Sequence, residues 1–267
     1  MRKSLSYYEK EVFPLIERDR GIFMTDSGAF SFMAKYEGDP RVEKEDFWLP
    51  YLEEYVEWLR KWKEHIFVAA NLDLDVLVGH NIVKKWNKKY FEPLEREGLQ
   101  IVYVAHADKD DKGDSALRCF EEYCKKYRYV GINQSQKKEA SKFYQLAKMY
   151  HTRVHGFAWT ELRLLKKFPF FSVDSTSWLS GVRYGTTYDD DGKNFRNFDS
   201  KHKGIRKTRR IKYLREGINE ENLLSEERVA INQMNLLGWM GFRREYLKMA
   251  NLKLHNKFVT HYESKRT

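Results

Sequence analysis

The sequence predicts an α/β fold, a TIM-like (β/α)8 barrel that is either complete or distorted and incomplete. One observation is alternation, because short apolar runs typical of strands are separated by longer charged, apolar-periodic segments typical of helices. The apolar runs end near Thr25, Ala70, Ala105, Ile132, Phe157 and Val173. The other observation is that Asp26, Asp73 and Asp174 follow such runs. Since parallel barrels carry their active sites at the carboxyl ends of the strands, we expect these carboxylates to share one site.

The segments between the apolar runs have the length of helices. The predicted helices span residues 4–18, 46–65, 76–97, 115–127, 136–150 and 160–167. Two of the eight strands of a closed barrel are missing from this pattern, and we expect them around residues 182–188 or not at all. We predict a single domain over residues 1–267, with a mobile basic insertion at 189–216 and a helical C-terminal segment at 225–258.

Composition favours a polyanionic partner. The chain has 49 Lys and Arg against 39 Asp and Glu, and nucleic acid is the leading candidate. The only two cysteines, Cys119 and Cys124, fall on different faces of a predicted helix, which supports neither a disulfide framework nor a zinc site. We therefore expect no bound metal. The amino terminus lacks the apolar core of a signal peptide and no run is long enough to span a membrane, so we expect a cytoplasmic protein with no membrane partner.

A basic segment stands out late in the chain. Seven of the twelve residues from 201 to 212 are basic, namely Lys201, Lys203, Arg206, Lys207, Arg209, Arg210 and Lys212. Runs of this kind are usually solvated surface, but in a protein that acts on a polynucleotide this one is the best candidate for phosphate binding. The preceding residues 189–192, Asp-Asp-Asp-Gly, lack the alternating spacing of a calcium loop and favour a solvated turn.

Residues 26–30, Asp-Ser-Gly-Ala-Phe, resemble the Asp-Ser-Gly-Gly-Phe signature of the guanine transglycosylases. Further motifs of that barrel family follow in order. They are a strand ending on Asp73, Tyr-Val-Gly at 129–131, His-Gly-Phe at 155–157 and Ser-Val-Asp-Ser at 172–175. The resemblance covers residues 22–178 and is strongest at its two ends. The last two motifs are most similar to the phage-type branch, which inserts 7-deazaguanine derivatives into DNA.

The resemblance implies base exchange at the anomeric carbon of a nucleoside. Asp174 would be the nucleophile that forms a covalent aspartyl-sugar intermediate, with its charge retained by hydrogen bonds from Ser175 or Thr176, and Asp26 would be the general acid/base. DNA and a free 7-deazaguanine base are the implied partners, with no cofactor, in the host cytoplasm if a phage encodes the chain. The Cys-x-Cys-x-x-Cys zinc cluster of tRNA-modifying relatives is absent, and the chain is short for a barrel with accessory RNA-binding domains, so DNA is favoured.

The resemblance also implies a base-binding set. Asp73, with Asp75 as the fallback, would accept paired hydrogen bonds from N–H groups on the guanine edge that adenine lacks. Gly28 would let the backbone approach the base, and His106 stands where tRNA enzymes place glutamine. The full set is Asp73, Gly131, His106, Ser27, Gly28 and Phe30.

Other interpretations stay open at this point. Asp26 and Asp174 have an ordinary alternative role as helix N-caps after strands, and for Asp73 that role is about as well supported as base recognition. The alternative functions are a minimal tRNA-guanine transglycosylase and a non-catalytic barrel that binds nucleic acid through residues 201–212. In the second case the strand-end aspartates would serve only as caps.

Overall fold

The computed structural model describes residues 7–19, 23–29, 33, 35–111, 114–159, 162–179, 183–184, 186–190, 195–198, 210–219 and 228–249. The chain divides into two compact units, Met1–Gly156 and Phe157–Thr267, and the division falls within a strand. Among the described residues, no helix combines the length and the apolar character needed to cross a bilayer.

Six strands form one sheet, and their order in the sheet is their order in the chain. They are β1 (Met24–Thr25), β2 (Val68–Ala70), β3 (Gln100–Val104), β4 (Tyr129–Asn133), β5 (Arg153–Phe157) and β6 (Ser172–Val173). The register is parallel, with Met24 opposite Val68, Val68 opposite Gln100, and Tyr103 opposite Val130. The prediction of an α/β fold with six parallel strands is therefore confirmed. The sheet is compatible with a distorted or incomplete barrel, because in the described ranges it has six of the eight strands that closure requires.

Helices join the strands of the first unit, as parallel pairing requires. They are α1 (Phe13–Asp19), α2 (Glu45–Trp62), α3 (Asp75–Val78), α4 (His80–Trp86), α5 (Glu92–Arg96), α6 (Ser115–Lys126) and α7 (Ala140–Met149). Shorter π and 3₁₀ segments complete them at Tyr8–Val12, Pro40–Glu43, Asn87–Phe91 and Gln134–Glu139. The strands β2, β3 and β4 are buried along nearly their whole length, which explains why each is a continuous apolar run in the sequence.

The predicted helix over residues 76–97 is broken, and Gly79 is the reason for the first break. Gly79 has φ of +86° and ψ of +156°, a backbone conformation that is essentially restricted to glycine. The chain therefore turns between α3 and α4, and a π-helical segment separates α4 from α5, which has Pro93 in its first turn. This turn directs His80 back toward the first residue of α3, Asp75.

The second unit contains α8 (Leu162–Lys167), β6, a 3₁₀ turn (Ser177–Leu179), β7 (Thr187–Asp190), β8 (Phe195–Phe198), α9 (Arg210–Arg215) and α10 (Arg228–Met249). The strands β7 and β8 pair antiparallel in a sheet of their own. The expectation that residues 182–188 contain the missing barrel strands is thus wrong for β7, which is not part of the six-stranded sheet. Helix α10 packs on β7 at Gly238, where an added Cβ would lie 2.5 Å from the Tyr188 carbonyl oxygen.

The expected solvated turn at residues 189–192 is also wrong where the structure describes it. Asp189 and Asp190 lie in β7, and Asp189 is only 2% exposed. The ammonium group of Lys212, on α9, lies 2.7 Å from Asp189 Oδ1, and the Tyr213 hydroxyl donates to the same oxygen. Buried carboxylates persist when they are paired in this way. Residues 191–194 lie outside the described ranges.

Candidate active site

The carboxyl ends of β1 to β4 bring polar side chains together in the first unit. Asp26 and Ser27 follow β1, Asp73 follows β2, His106 follows β3, and Asn133 is the last residue of β4. We call these five residues the strand-end cluster. Parallel strands end at a common edge, so residues distant in sequence meet there and are linked by the hydrogen bonds described below.

Asp73 is the centre of the strand-end cluster. The Ser27 hydroxyl donates to Asp73 Oδ1 at 3.1 Å, and His106 Nε2 lies 2.7 Å from Asp73 Oδ2. Each carboxylate oxygen can accept two hydrogen bonds, so both oxygens keep capacity for a further donor. Asp73 is partly exposed, which leaves it accessible to a ligand.

The hydrogen bonds around His106 define its tautomer. Asn133 Oδ1 accepts from the Ser135 backbone N–H, so the Asn133 amide nitrogen faces His106 Nδ1 at 3.0 Å. Nδ1 is then the acceptor and Nε2–H donates to Asp73. Burial lowers the pKa of His106, whereas the hydrogen bond to Asp73 and the neighbouring carboxylates raise it, with a net increase. Protonation of Nδ1 would have to displace the Asn133 amide, which opposes that increase.

Asp26 is linked to Asp73 through Ser27. Asp26 is exposed, and its Oδ1 accepts the Ser27 backbone N–H at 2.7 Å. Ser27 itself is buried, and its hydroxyl orients the Asp73 carboxylate. The hydroxyl of Tyr51, on α2, donates to the Ser27 carbonyl oxygen. Gly28 has φ of +73°, and a Cβ there would lie 3.0 Å from the Tyr51 hydroxyl, so backbone geometry alone requires glycine at this position.

The other proposed base-binding residues differ in what the structure shows. Asp75 has no exposed surface, and burial raises its pKa to about 6, so only Asp73 of the two carboxylates can reach a base. Gly131 is buried in β4, and its carbonyl oxygen accepts the Ala105 N–H at 2.9 Å. Phe30 lies outside the described residues.

Asp174 belongs to the second unit, where it follows β6 and is exposed. Its Oδ1 accepts the backbone N–H of Ala158 at 3.0 Å, and its carbonyl oxygen accepts the N–H of Trp159 at 3.1 Å. The expected donors were Ser175 and Thr176, but the Ser175 hydroxyl lies 2.8 Å from Ser177 Oγ. Asp26 and Asp174 lie in different units, and their convergence stays a prediction.

Most of the basic segment lies outside the described residues, namely Lys201, Lys203, Arg206, Lys207 and Arg209. Arg210 and Lys212 lie on α9. Arg210 is exposed, but Lys212 pairs with the buried Asp189. The charge of Lys212 therefore neutralises a carboxylate within the protein, a role that the basic run did not predict.

Sequence reasoning missed Asn133 and Tyr51. The signal for Asn133 is the spacing Asn133-x-x-Gln136, which is a capping box. In the structure Gln136 Oε1 accepts the Asn133 N–H and its amide donates to the Ala105 carbonyl, which ties the end of β4 to the end of β3. Tyr51 lies within the predicted helix over residues 46–65, and no local pattern distinguishes its hydroxyl from those of other tyrosines.

No family model matches this chain, and neither a curated protein nor a solved structure matches it.

Proposed function

We propose that the protein is a guanine transglycosylase that exchanges guanine in DNA for a 7-deazaguanine derivative. The observation that carries the proposal is the Asp73 carboxylate, held between Ser27 and His106 at the carboxyl edge of a parallel sheet and linked through Ser27 to the exposed Asp26. The proposal also includes a TIM-like barrel and requires that Asp174 act on the same nucleotide as Asp26 and Asp73.

Asp73 would recognise the Watson–Crick edge of guanine. The ring N–H and the exocyclic amine of guanine are two adjacent donors, and a carboxylate accepts both. Adenine offers an acceptor where guanine offers the ring donor, so it would leave Asp73 with an unmatched acceptor. The donors Ser27 and His106 hold the Asp73 carboxylate in a fixed orientation.

Asp174 and Asp26 would carry the exchange. A carboxylate oxygen of Asp174 attacks the anomeric carbon of the nucleotide, the glycosidic C–N bond breaks, and its electron pair leaves with guanine, which Asp26 protonates. The incoming 7-deazaguanine then loses its N9 proton to Asp26 and attacks the same carbon, which releases Asp174. Two displacements retain the configuration and need no external reductant or oxidant. A target base in duplex DNA must first be unstacked, at a cost of a few kcal/mol.

Charge and motif content favour DNA among the polynucleotides. The formal net charge is +10, which suits any polyanion. The two cysteines of the sequence cannot form the Cys-x-Cys-x-x-Cys cluster of tRNA-modifying relatives. Incubation of the protein with DNA and with tRNA, each with guanine and with candidate 7-deazaguanine bases, followed by nucleoside mass analysis, decides between the two substrates.

Asp174→Asn tests the enzymatic proposal. We expect exchange of labelled guanine to fall by about a thousandfold or more, because an amide is a far weaker nucleophile, while DNA binding and the melting temperature change little. Asp46→Asn, the same change at an exposed position of α2, is the control and should retain full exchange. Exchange that persists in the Asp174 variant would refute the nucleophile assignment.

A second candidate function gives the two aspartates a structural role alone. Asp26 Oδ1 accepts from Ser27 N–H and Asp174 Oδ1 accepts from Ala158 N–H, although neither donor belongs to a helix, so these contacts are not helix N-caps. A non-catalytic nucleic-acid-binding protein would need only such structural contacts from them. This candidate predicts DNA binding without base exchange in the unmodified protein, and a lower melting temperature in Asp174→Ala, which removes the acceptor of the Ala158 N–H.

A further inference from the structure

We propose that Asp75, His80 and Cys119 form a binding site for a divalent transition-metal ion, with zinc the best match to the donor set. The three residues come from α3, α4 and α6. One ligand atom from each, an oxygen, a nitrogen and a sulfur, lies within 4.8 Å of the other two. The site shares no ligand with the strand-end cluster, although His80 contacts the backbone of His106.

Asp75 is the first sign that the arrangement is incomplete without an ion. It is fully buried, and neither of its carboxylate oxygens has a hydrogen-bond partner among the described residues. An unmatched carboxylate in the interior is costly, and proteins that retain one pair it or use it to coordinate a metal. His80 Nε2 lies 3.6 Å from Asp75 Oδ1, too far for a hydrogen bond but close to the separation of two ligands on one tetrahedral ion, about 3.5 Å.

His80 is oriented as metal-binding histidines are. Its Nδ1 lies 3.2 Å from Asp108 Oδ2, the oxygen that also accepts the His80 backbone N–H, and its Nε2 lies 3.6 Å from Asp75 Oδ1. A carboxylate on the second ring nitrogen fixes the tautomer and raises the basicity of the ligating nitrogen. Asp108 is held in turn by Ser115, whose hydroxyl accepts the Asp108 N–H. Nε2–H donates to the His106 carbonyl oxygen at 3.0 Å, so metal binding at Nε2 would replace both this hydrogen bond and the Nε2 proton.

A directed hydrogen-bond chain ends on the Tyr123 hydroxyl, next to Cys119. The Val104 N–H donates to Asn71 Oδ1, so the Asn71 amide nitrogen must donate to Asn87 Oδ1, at 2.9 Å. The Asn87 amide nitrogen therefore donates to the Tyr123 hydroxyl oxygen, at 3.1 Å. Burial raises the pKa of the Cys119 thiol and the nearby Asp75 raises it further, while Tyr123 lowers it by less, so a bound ion would have to displace the thiol proton.

The donor set selects the type of metal. Calcium and magnesium prefer oxygen ligands alone, whereas thiolate, imidazole and carboxylate together suit zinc and its neighbours in the first transition row. Zinc distances of about 2.0 to 2.3 Å would require the ligand atoms to move together by about 1 Å. Water would complete the fourth position. Binding would release the Cys119 thiol proton, so affinity should rise with pH.

Cobalt(II) is the probe that reports on the sulfur directly. Protein dialysed against a chelator is titrated with Co²⁺, and absorption in the near ultraviolet is recorded, where a thiolate bound to cobalt gives an intense charge-transfer band. We expect a band that saturates at one equivalent and disappears when Zn²⁺ is added. Zinc should also raise the melting temperature of the dialysed protein, because the ion binds the folded state alone.

The two cysteines give a matched pair of variants. Cys119 and Cys124 are both buried in α6, so Cys119→Ser should abolish the band and Cys124→Ser should preserve it. Asp75→Asn should keep the band but weaken Co²⁺ binding at least tenfold. If the wild-type protein gives no band, Asp75 and His80 form an ion pair without a metal and the proposal fails. A band that survives in folded Cys119→Ser would also overturn it.

Discussion

At the scale of the residue, His106 is the position on which base recognition depends most. It donates to Asp73 through Nε2, while Asn133 occupies Nδ1. The ring therefore acts as a fixed donor that orients a carboxylate. A glutamine at this position would keep a donor of similar reach, whereas an apolar side chain would leave the Asp73 oxygen without this partner.

We accordingly expect a graded series at position 106. His106→Leu should weaken binding of the free 7-deazaguanine base by about 10- to 100-fold, the cost of one charge-assisted hydrogen bond, whereas His106→Gln should lose no more than a few-fold. Isothermal titration with the free base measures both. His65→Leu, which removes a histidine paired with Glu17 instead, is the control. Equal affinities for the two position-106 variants would contradict the orienting role of the ring.

Local sequence patterns predicted the positions of some residues of the strand-end cluster but not of others. Asp26, Asp73 and His106 follow apolar runs, so strand periodicity is enough to place them at one edge. The burial of Ser27 and Asp75 could not be inferred in this way, because it depends on how α2, α3 and α6 pack over the strand ends. Cys119 illustrates the same limit, since its spacing from Cys124 argued against a metal site and its approach to Asp75 is a tertiary contact.

At the scale of the element, periodicity predicted the strands and the long helix α2, whereas backbone conformation decided the rest. Residues 76–97 keep a helical apolar pattern through Gly79, but the glycine breaks the helix. In the second unit, the sequence predicts a solvated turn at residues 189–192. Asp189 is instead buried in β7, where the ammonium group of Lys212, on α9, pairs with its carboxylate. Lys212 and Asp189 are 23 residues apart, so the local sequence around either residue does not predict the pair.

The Lys212–Asp189 pair should contribute to stability. Lys212→Met would leave the buried Asp189 without its cation, and we expect a loss of about 2 kcal/mol in the free energy of unfolding, which is less than for a fully buried pair because Lys212 is partly exposed. Arg215→Met removes an exposed charge from the same helix and should cost about 0.5 kcal/mol or less. Urea unfolding measures both, and equal losses would contradict the pairing.

At the scale of the whole molecule, ion pairs within the protein already neutralise some of the lysines and arginines that a polyanion would contact. Many lysines and arginines of the first unit are paired on its surface, for example Lys84 with Glu122, Lys85 with Glu45 and Arg60 with Glu97. Lys212 is committed to Asp189. The predicted phosphate binding by the basic residues of 201–212 is therefore best tested without Lys212.

Replacement of Arg206, Lys207, Arg209 and Arg210 by glutamine should weaken DNA binding and flatten its dependence on salt. Each lost phosphate contact removes about 0.9 from the slope of log affinity against log salt for duplex DNA, so four contacts would lower the slope by about 3 to 4. Fluorescence anisotropy with a labelled duplex over a series of salt concentrations gives both quantities. The loss should be similar for unrelated sequences, because phosphates carry no base information.

The matched control for this quadruple variant changes Lys61, Lys63, Lys125 and Lys126 to glutamine, with the same loss of net charge. These lysines lie where α2 and α6 end and the chain leads into the amino ends of β2 and β4, the edge opposite the strand-end cluster. Their surface ion pairs contribute little to stability, so the variant should fold and keep its salt slope. An equal change of slope in both variants would mean that net charge, not residues 201–212, governs binding.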